Sequence, residues 1–243
     1  MRVLAIVPAF NEERSLAAVV AAIRQARPGV DVCVVDDGST DGTAAVARSL
    51  GVVLLSNAIN LGIGGAVQVG YLWARDHGYD AAVQVDGDGQ HDTSFLGALL
   101  EPLASGRADL VVGSRFAGDH ADGFRSTWLR RMGIRYLCGV LAIRCGARVS
   151  DPTSGFRAAS RTAIELFAES YPSDYPEPES IAVAARQGLR VVEVPVRMRQ
   201  RAHGASSITP LRTLYYLVKV TFALALLPNP SPVRPSEGAE VHR

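Results

Sequence analysis

In the first half of this chain, five short β-branched apolar runs alternate with four segments of helical spacing, and this limits the fold more than any other feature. The runs lie at Arg2 to Pro8, Val30 to Val35, Val52 to Ser56, Ala81 to Val85 and Leu110 to Gly113. The helical segments lie at Glu12 to Gln25, Thr40 to Ser49, Gly64 to Asp76 and Thr93 to Ala104. Strands joined by helix-length crossovers read as a parallel sheet with both faces covered. Each strand is followed by polar, turn-forming residues: Asn11-Glu12, Asp36 to Thr40, Asn57 to Asn60, and Asp86 to Thr93. Open α/β sheets bind ligands beyond the carboxyl ends of their strands, so chemistry is expected in these segments.

With 243 residues, 48% of them apolar, the chain can fill one substantial α/β domain. A formal net charge of +1 gives no reason to expect nucleic-acid binding. The charge is uneven, however. Between Gly123 and Ser150 there is no acidic residue, while Arg125, Arg130, Arg131, Arg135, Arg144 and Arg148 all fall there, interleaved with Trp128, Met132, Leu137 and Ile143. That mixture predicts amphipathic helix. Three widely spaced cysteines without a Cys-x-x-Cys pair fit buried thiols, and the N-terminus lacks signal-peptide zoning, so a cytoplasmic location is expected. Leu211 to Leu227 is apolar but interrupted by Arg212 and Lys219, a poor candidate for crossing a membrane.

Chemistry is concentrated in Val85-Asp86-Gly87-Asp88-Gly89-Gln90-His91, where an apolar strand ends in two carboxylates one glycine apart. Such hard oxygen ligands suit Mg²⁺ or Mn²⁺ shared with phosphate oxygens, although Asp-Gly is also a common turn. After the second strand, Asp36 or Asp37 is placed to accept hydrogen bonds from a ribose or a base edge, while Ser39, Thr40 and Asp41 read as helix caps. Asn60-Leu61-Gly62-Ile63-Gly64-Gly65 is a glycine-rich helix start, a weak phosphate signal. The first strand-to-helix turn, Pro8-Ala9-Phe10-Asn11-Glu12-Glu13, has no glycine, which speaks against a dinucleotide fold; no P-loop is present either.

Taken in order, Val7 to Glu13, Val35 to Thr43, Asp86 to His91, Val112-Gly113-Ser114-Arg115 and Asp151-Pro152-Thr153-Ser154-Gly155-Phe156-Arg157 resemble the family 2 inverting glycosyltransferases. More narrowly, they resemble the polyprenyl-phosphate enzymes of the dolichyl-phosphate mannose synthase type. The resemblance implies an α/β GT-A fold, with a catalytic domain at 1–210; the amphipathic pattern of Leu211 to Leu227 predicts a membrane-interfacial helix at 211–228, and the Pro-, Ser- and Gly-rich composition after Pro228 predicts a disordered tail at 229–243. The resemblance also implies nucleotide contacts from Pro8, Phe10, Glu12 and Asp37, and a metal and diphosphate site of Asp86, Asp88 and Gln90. Arg115, Arg130 or Arg131, and Arg201 match phosphate-contacting positions, and Asp151 matches an acidic position near the sugar. Relatives often carry Lys at the position of Ile63, so diphosphate charge would fall more heavily on the metal and the arginines here.

The resemblance thus implies a nucleotide-sugar donor and a polyprenyl phosphate acceptor. A phosphate monoester has a second pKa of about 6, so its oxygen attacks without a strong general base. Arginine forks suit the incoming phosphate. His91 and His203 are then expected to position rather than react. Tyr171 to Glu179, read as a proline-stiffened turn before a helix at Ser180, resembles a segment of bacterial enzymes that use a UDP-linked N-acetylhexosamine. The chain is expected to be peripheral on the inner face of the cell membrane, with its basic stretch and Leu211 to Leu227 at the membrane interface and a small membrane-protein partner nearby. The alternatives are a transferase with a soluble saccharide or metabolite acceptor, and a catalytically silent sugar-nucleotide-binding subunit.

Overall fold

The expected alternation is realised almost element for element. The computed structural model describes residues 1–117, 128–199 and 219–224, with the backbone alone at 128–130. Its first half runs β1 (Val3–Ala9), α1 (Leu16–Ala26), β2 (Asp31–Asp36), α2 (Thr43–Ser49), β3 (Val53–Ser56), α3 (Gly62–Asp76) and β4 (Ala81–Gln84). A 3₁₀ turn (Thr93–Phe95), α4 (Leu96–Ala104) and β5 (Leu110–Ser114) follow. β1 is buried at every position, as a central strand covered on both faces must be. α1 buries Leu16, Val19, Val20 and Ile23, a stripe at helical spacing, and exposes the residues between.

The second half is more regular than its sequence indicates. It supplies α5 (Trp128–Cys145), β6 (Arg157–Ser160), α6 (Arg161–Glu169), α7 (Pro176–Arg186) and β7 (Val191–Pro195). The described sheet has seven strands in the order β3-β2-β1-β4-β6-β5-β7, and all but β6 run in the same direction. β6 is antiparallel to both neighbours, β4 and β5. It carries Arg-Ala-Ala-Ser, without the β-branched signature that marks the other strands, and forms because it is buried between them.

Two apolar layers sandwich the sheet. One holds α1, α2 and α4 through residues such as Leu16, Ala47 and Leu99. The other holds α3, α5, α6 and α7 through Tyr71, Leu141, Phe167 and Ile181. Several boundaries differ from the expected ones; α1, for instance, starts at Leu16 rather than Glu12. α2 starts at Thr43 rather than Thr40, because the residues before it are tied to the β1 loop. α7 starts at Pro176 rather than Ser180, with proline in the first turn, where its missing N–H costs nothing.

Candidate active site

The carboxyl ends of β1, β2 and β4 lie side by side and open into a cavity of about 350 Å³. Its lining includes Pro8, Phe10, Glu12, Asp37, Asp86 and Asp88, which brings together six of the expected site residues, with Ile63 beside them. The size is that of a small-ligand pocket.

The donor side is built by lacing the β1 and β2 loops together. Asn11 adopts a positive φ of 58°, which asparagine tolerates, and so turns the chain out of β1. Its amide donates to Ser39 Oγ (3.0 Å), and its side-chain oxygen accepts from the Thr40 amide (2.8 Å). Asp41 accepts from the Thr43 amide at the start of α2 (2.9 Å). Of the three expected caps, none is the N-cap, which is Gly42; Asp41 just before it holds the first helical amide, while Ser39 and Thr40 tie the loops.

Asp37 lines the cavity, whereas Asp36 turns away and accepts from the Ser39 amide (3.1 Å). Asp37 Oδ1 accepts from Asn57 Nδ2 (2.8 Å) and the Leu61 amide (2.9 Å), and Oδ2 accepts from the Gly62 amide (2.9 Å). The start of α3 is therefore held by a carboxylate, not left open for phosphate. Two residues on, the Gly64 amide donates to Ser173 O (3.2 Å), and a Cβ at Gly64 would lie 2.1 Å from Pro172 O. That glycine serves close packing against the 172–173 loop.

Asp86 follows β4 and is gripped on several sides. Gln84 Nε2 donates to its Oδ1 (2.8 Å), and a Cβ at Gly155 would sit 3.1 Å from its Oδ2. The Asp86 amide donates to His91 Nδ1 (3.0 Å), and His91 Nε2 is 3.5 Å from Asp86 Oδ2. The His91 ring is buried and stacked on Phe156, with centroids 4.7 Å apart. Burial holds its pKa below the usual histidine value, against the pull of Asp86 and Asp88. Asp88 Oδ1 accepts from the Gln90 amide (2.9 Å), and Gln90 O accepts from the Arg199 amide (2.8 Å). Gln90 is thus engaged through its main chain.

Among the described residues no cluster of three or more His, Cys, Asp or Glu could form a complete protein cage for a metal. Two carboxylates on one cavity nevertheless fit Mg²⁺ or Mn²⁺. Such ions are commonly held by one or two carboxylates, with substrate phosphates completing the shell.

Beyond β5 the structure brings two of the expected site residues together. Arg115 and Asp151 meet each other: Arg115 Nε reaches Asp151 Oδ2 at 2.6 Å and Nη2 reaches Oδ1 at 2.7 Å, with both side chains buried. Nη2 also donates to Thr153 Oγ1 (2.8 Å). Glu193 on β7 fixes the same loop by accepting from the Ser150 and Asp151 amides (2.7 and 2.8 Å). These two residues thus form one buried, two-pronged ion pair. Arg131 is exposed on α5. The Arg130 side chain, Arg201 and His203 lie outside the described residues.

A further cation escaped sequence reasoning. Arg157 on β6 is wholly buried and donates to Ser154 O (3.1 Å), Glu177 O (3.0 Å) and Ser180 Oγ (2.6 Å). Its signal was the last residue of the Asp151 to Arg157 motif, of which only the first residue had been given a role. Nearby, burial raises the Glu177 carboxyl above the usual range; Arg157 opposes that shift and Asp86 adds to it.

The sequence matches glycosyl transferase family 2 over residues 4–167, which span β1 through most of α6. This chain belongs to that family. The transferase is 35% identical over 219 residues to an undecaprenyl-phosphate mannosyltransferase of Micrococcus luteus, covering 86% of this chain and 88% of the relative. It is 28% identical over 212 residues to a UDP-N-acetylglucosamine–dolichyl-phosphate N-acetylglucosaminyltransferase of Methanococcus voltae, covering 79% and 83%. Its fold is shared by glucosyl-3-phosphoglycerate synthase of Mycobacterium tuberculosis, crystallised with Mn²⁺, UDP and glucosyl-3-phosphoglycerate. That similarity has a TM-score of 0.68 at 23% identity and covers 93% of this chain and 78% of the other. The same synthase has also been crystallised with Mg²⁺ and UDP. The GT-A architecture expected from the motifs is therefore the observed one.

Proposed function

We propose that this transferase moves a sugar from a nucleoside diphosphate carrier to a polyprenyl phosphate, with inversion, at the cytoplasmic face of a membrane. The observation that carries the donor half is the Asp86 and Asp88 pair opening on the cavity lined by Pro8, Phe10, Glu12 and Asp37. A divalent ion held there would neutralise the leaving diphosphate. Phe10 offers an exposed ring for stacking on a base, and Asp37 and Glu12 offer carboxylate edges to the nucleoside.

The acceptor half rests on what the site can do to an incoming nucleophile. His91, the histidine nearest the carboxylates among the described residues, already accepts the Asp86 amide and is not placed to take a substrate proton. A hydroxyl acceptor needs such a base, whereas a phosphate monoester does not. Both relatives named above act on lipid phosphates according to their names.

A lipid acceptor also fits the surface. On α5, Met132, Tyr136, Gly139 and Ile143 form one exposed stripe at helical spacing, with Arg131 and Arg135 along one flank. Phe222 is exposed nearby, where Thr221 Oγ1 donates to the Tyr136 hydroxyl (3.2 Å). The described turn at 219–224 packs on the domain through Val220 and Leu224, and Lys219 pairs with Asp174, so only its Phe222 side faces outward. An apolar stripe with arginine edges suits an anionic interface. No helix among the described residues is long and apolar enough to span a membrane.

For the sugar, the Tyr171 to Glu179 segment supports an N-acetylhexosamine from a UDP donor. Mannose is the second reading, supported by the 35% identity to a mannosyltransferase. The test incubates purified protein with Mg²⁺ or Mn²⁺, polyprenyl phosphate and a panel of UDP- and GDP-sugars, scoring the mass of the lipid product. A glycolipid from one donor is expected. Absence of product from every donor, also with host membranes added, or transfer only to hydroxyl acceptors, overturns the proposal.

A further inference from the structure

We infer that His91 is a positioning residue for the metal site: its Nδ1 fixes the Asp86 backbone and its buried ring sets where the Asp86 carboxylate stands. The inference rests on reading Asp86 as a metal ligand and concerns a residue to which the proposed reaction assigns no step.

The geometry is specific about the ring nitrogens. A backbone amide can only donate, so Nδ1, 3.0 Å from the Asp86 nitrogen, must be an unprotonated acceptor. The proton then sits on Nε2, which faces Asp86 Oδ2 at 3.5 Å. One ring thus addresses both the main chain and the side chain of the same aspartate. Stacking on Phe156 at 4.7 Å, with 15° between the planes, fixes the ring's orientation. Phe156 adjoins Gly155, which itself packs against the Asp86 carboxylate. His91 is also bridged in antiparallel fashion to Met198, and Arg199 pairs with Asp92 (2.8 Å), so the loop carrying the ring is fastened at its far end. The imidazole is therefore held by contacts that do not involve ligand, and it transmits that rigidity to Asp86.

Groups that orient a metal ligand without touching the ion typically contribute about 10–100-fold in metal affinity. The inference is tested with His91→Phe, which keeps a ring for stacking but loses the acceptor, and His91→Asn, whose amide oxygen can replace Nδ1. Mn²⁺ binding in the presence of UDP is titrated by electron paramagnetic resonance, with metal-free UDP binding and thermal melting measured alongside. His91→Phe is expected to weaken Mn²⁺ binding about 10–100-fold. Metal-free UDP binding should stay unchanged, and His91→Asn should recover most of the loss. Unaltered Mn²⁺ binding in His91→Phe, or an equal loss in both variants, overturns the inference.

Should His91→Phe not fold, ¹⁵N spectra of the wild-type imidazole decide: an Nε2–H tautomer supports the assignment and an Nδ1–H tautomer defeats it. None of these readouts uses a sugar or an acceptor, so failure of the lipid reading leaves them intact. Wild-type UDP binding that ignores Mn²⁺ would overturn the metal reading and this inference together.

Discussion

Arg115 and Asp151 lie edge to edge, two nitrogens on two oxygens at 2.6 and 2.7 Å, at a depth where neither side chain has appreciable contact with solvent. The pair ties the end of β5 to the loop that leads into β6. Losing one partner would strand the other as a buried charge.

Asp151→Ala should therefore destabilise the protein by about 3–5 kcal/mol, the usual cost of breaking a buried ion pair from one side. Urea or thermal denaturation measures it. The double variant Arg115→Met, Asp151→Leu should recover much of that loss, because it removes both charges together. A single variant as stable as the wild type would show that the pair carries little of the fold's stability.

Asp88→Asn should abolish the metal dependence of UDP binding and leave the melting temperature within a few degrees of the wild type. Removing the metal's contribution to a leaving diphosphate should lower kcat by about a hundredfold or more. Calorimetry of UDP binding with and without Mn²⁺ is the direct measurement. Retained metal dependence would remove Asp88 from the ligand set.

Gly155→Ala places a methyl group 3.1 Å from both Asp86 Oδ2 and Gln84 Nε2. One of these must give by a few tenths of an ångström, which moves the Asp86 carboxylate or the amide that holds it. The expected result is a fall in kcat with a modest change in stability. Kinetics beside a melting curve separate the two effects.

Glu177 gives a pH signature. Its carboxyl is raised in the folded protein, chiefly by burial, so the folded state binds that proton more tightly than the unfolded chain does. The stability tied to it is complete below the unfolded glutamate range and is lost as pH climbs through the raised value. Glu177→Gln should thus be more stable than the wild type at neutral pH, and the gap should close on acidification to about pH 4. Denaturation of both proteins across pH 4 to 8 checks this; a gap that widens toward acid would reverse the assignment.

Much of the donor site was legible in the sequence because strand ends announce themselves: an apolar run stops and Asp37, Asp86 or Asp88 follows. The parallel strands of the first half were legible for the same reason, through valines and isoleucines flanked by turns, whereas β7 (Val191–Pro195) went unread in the less regular second half. β6 was not, since Arg157-Ala158-Ala159-Ser160 has no strand propensity of its own and takes its form from neighbours distant in sequence. The closure of Arg115 on Asp151 also stayed hidden, because motif spacing shows which residues matter without showing whether they face a ligand or each other. Gly155 and His91 stood inside quoted motifs, yet their contacts with Asp86 depend on β6 lying beside β4, a fact of topology.

That topology has a consequence for biosynthesis. β6 is translated after β5 but lies between β4 and β5, so a nascent chain that has emerged only through residue 114 holds two strands with no partner for their facing edges. Open edges of this kind invite aggregation and chaperone capture. Only when residues 155 to 160 have left the ribosome can Gly155 and Phe156 reach Asp86 and His91. Any nonsense mutation upstream of that point leaves a fragment in which Asp86 lacks Gly155 and His91 lacks the Phe156 ring it stacks on, so truncated products should neither hold the ion firmly nor draw on the cell's activated sugars.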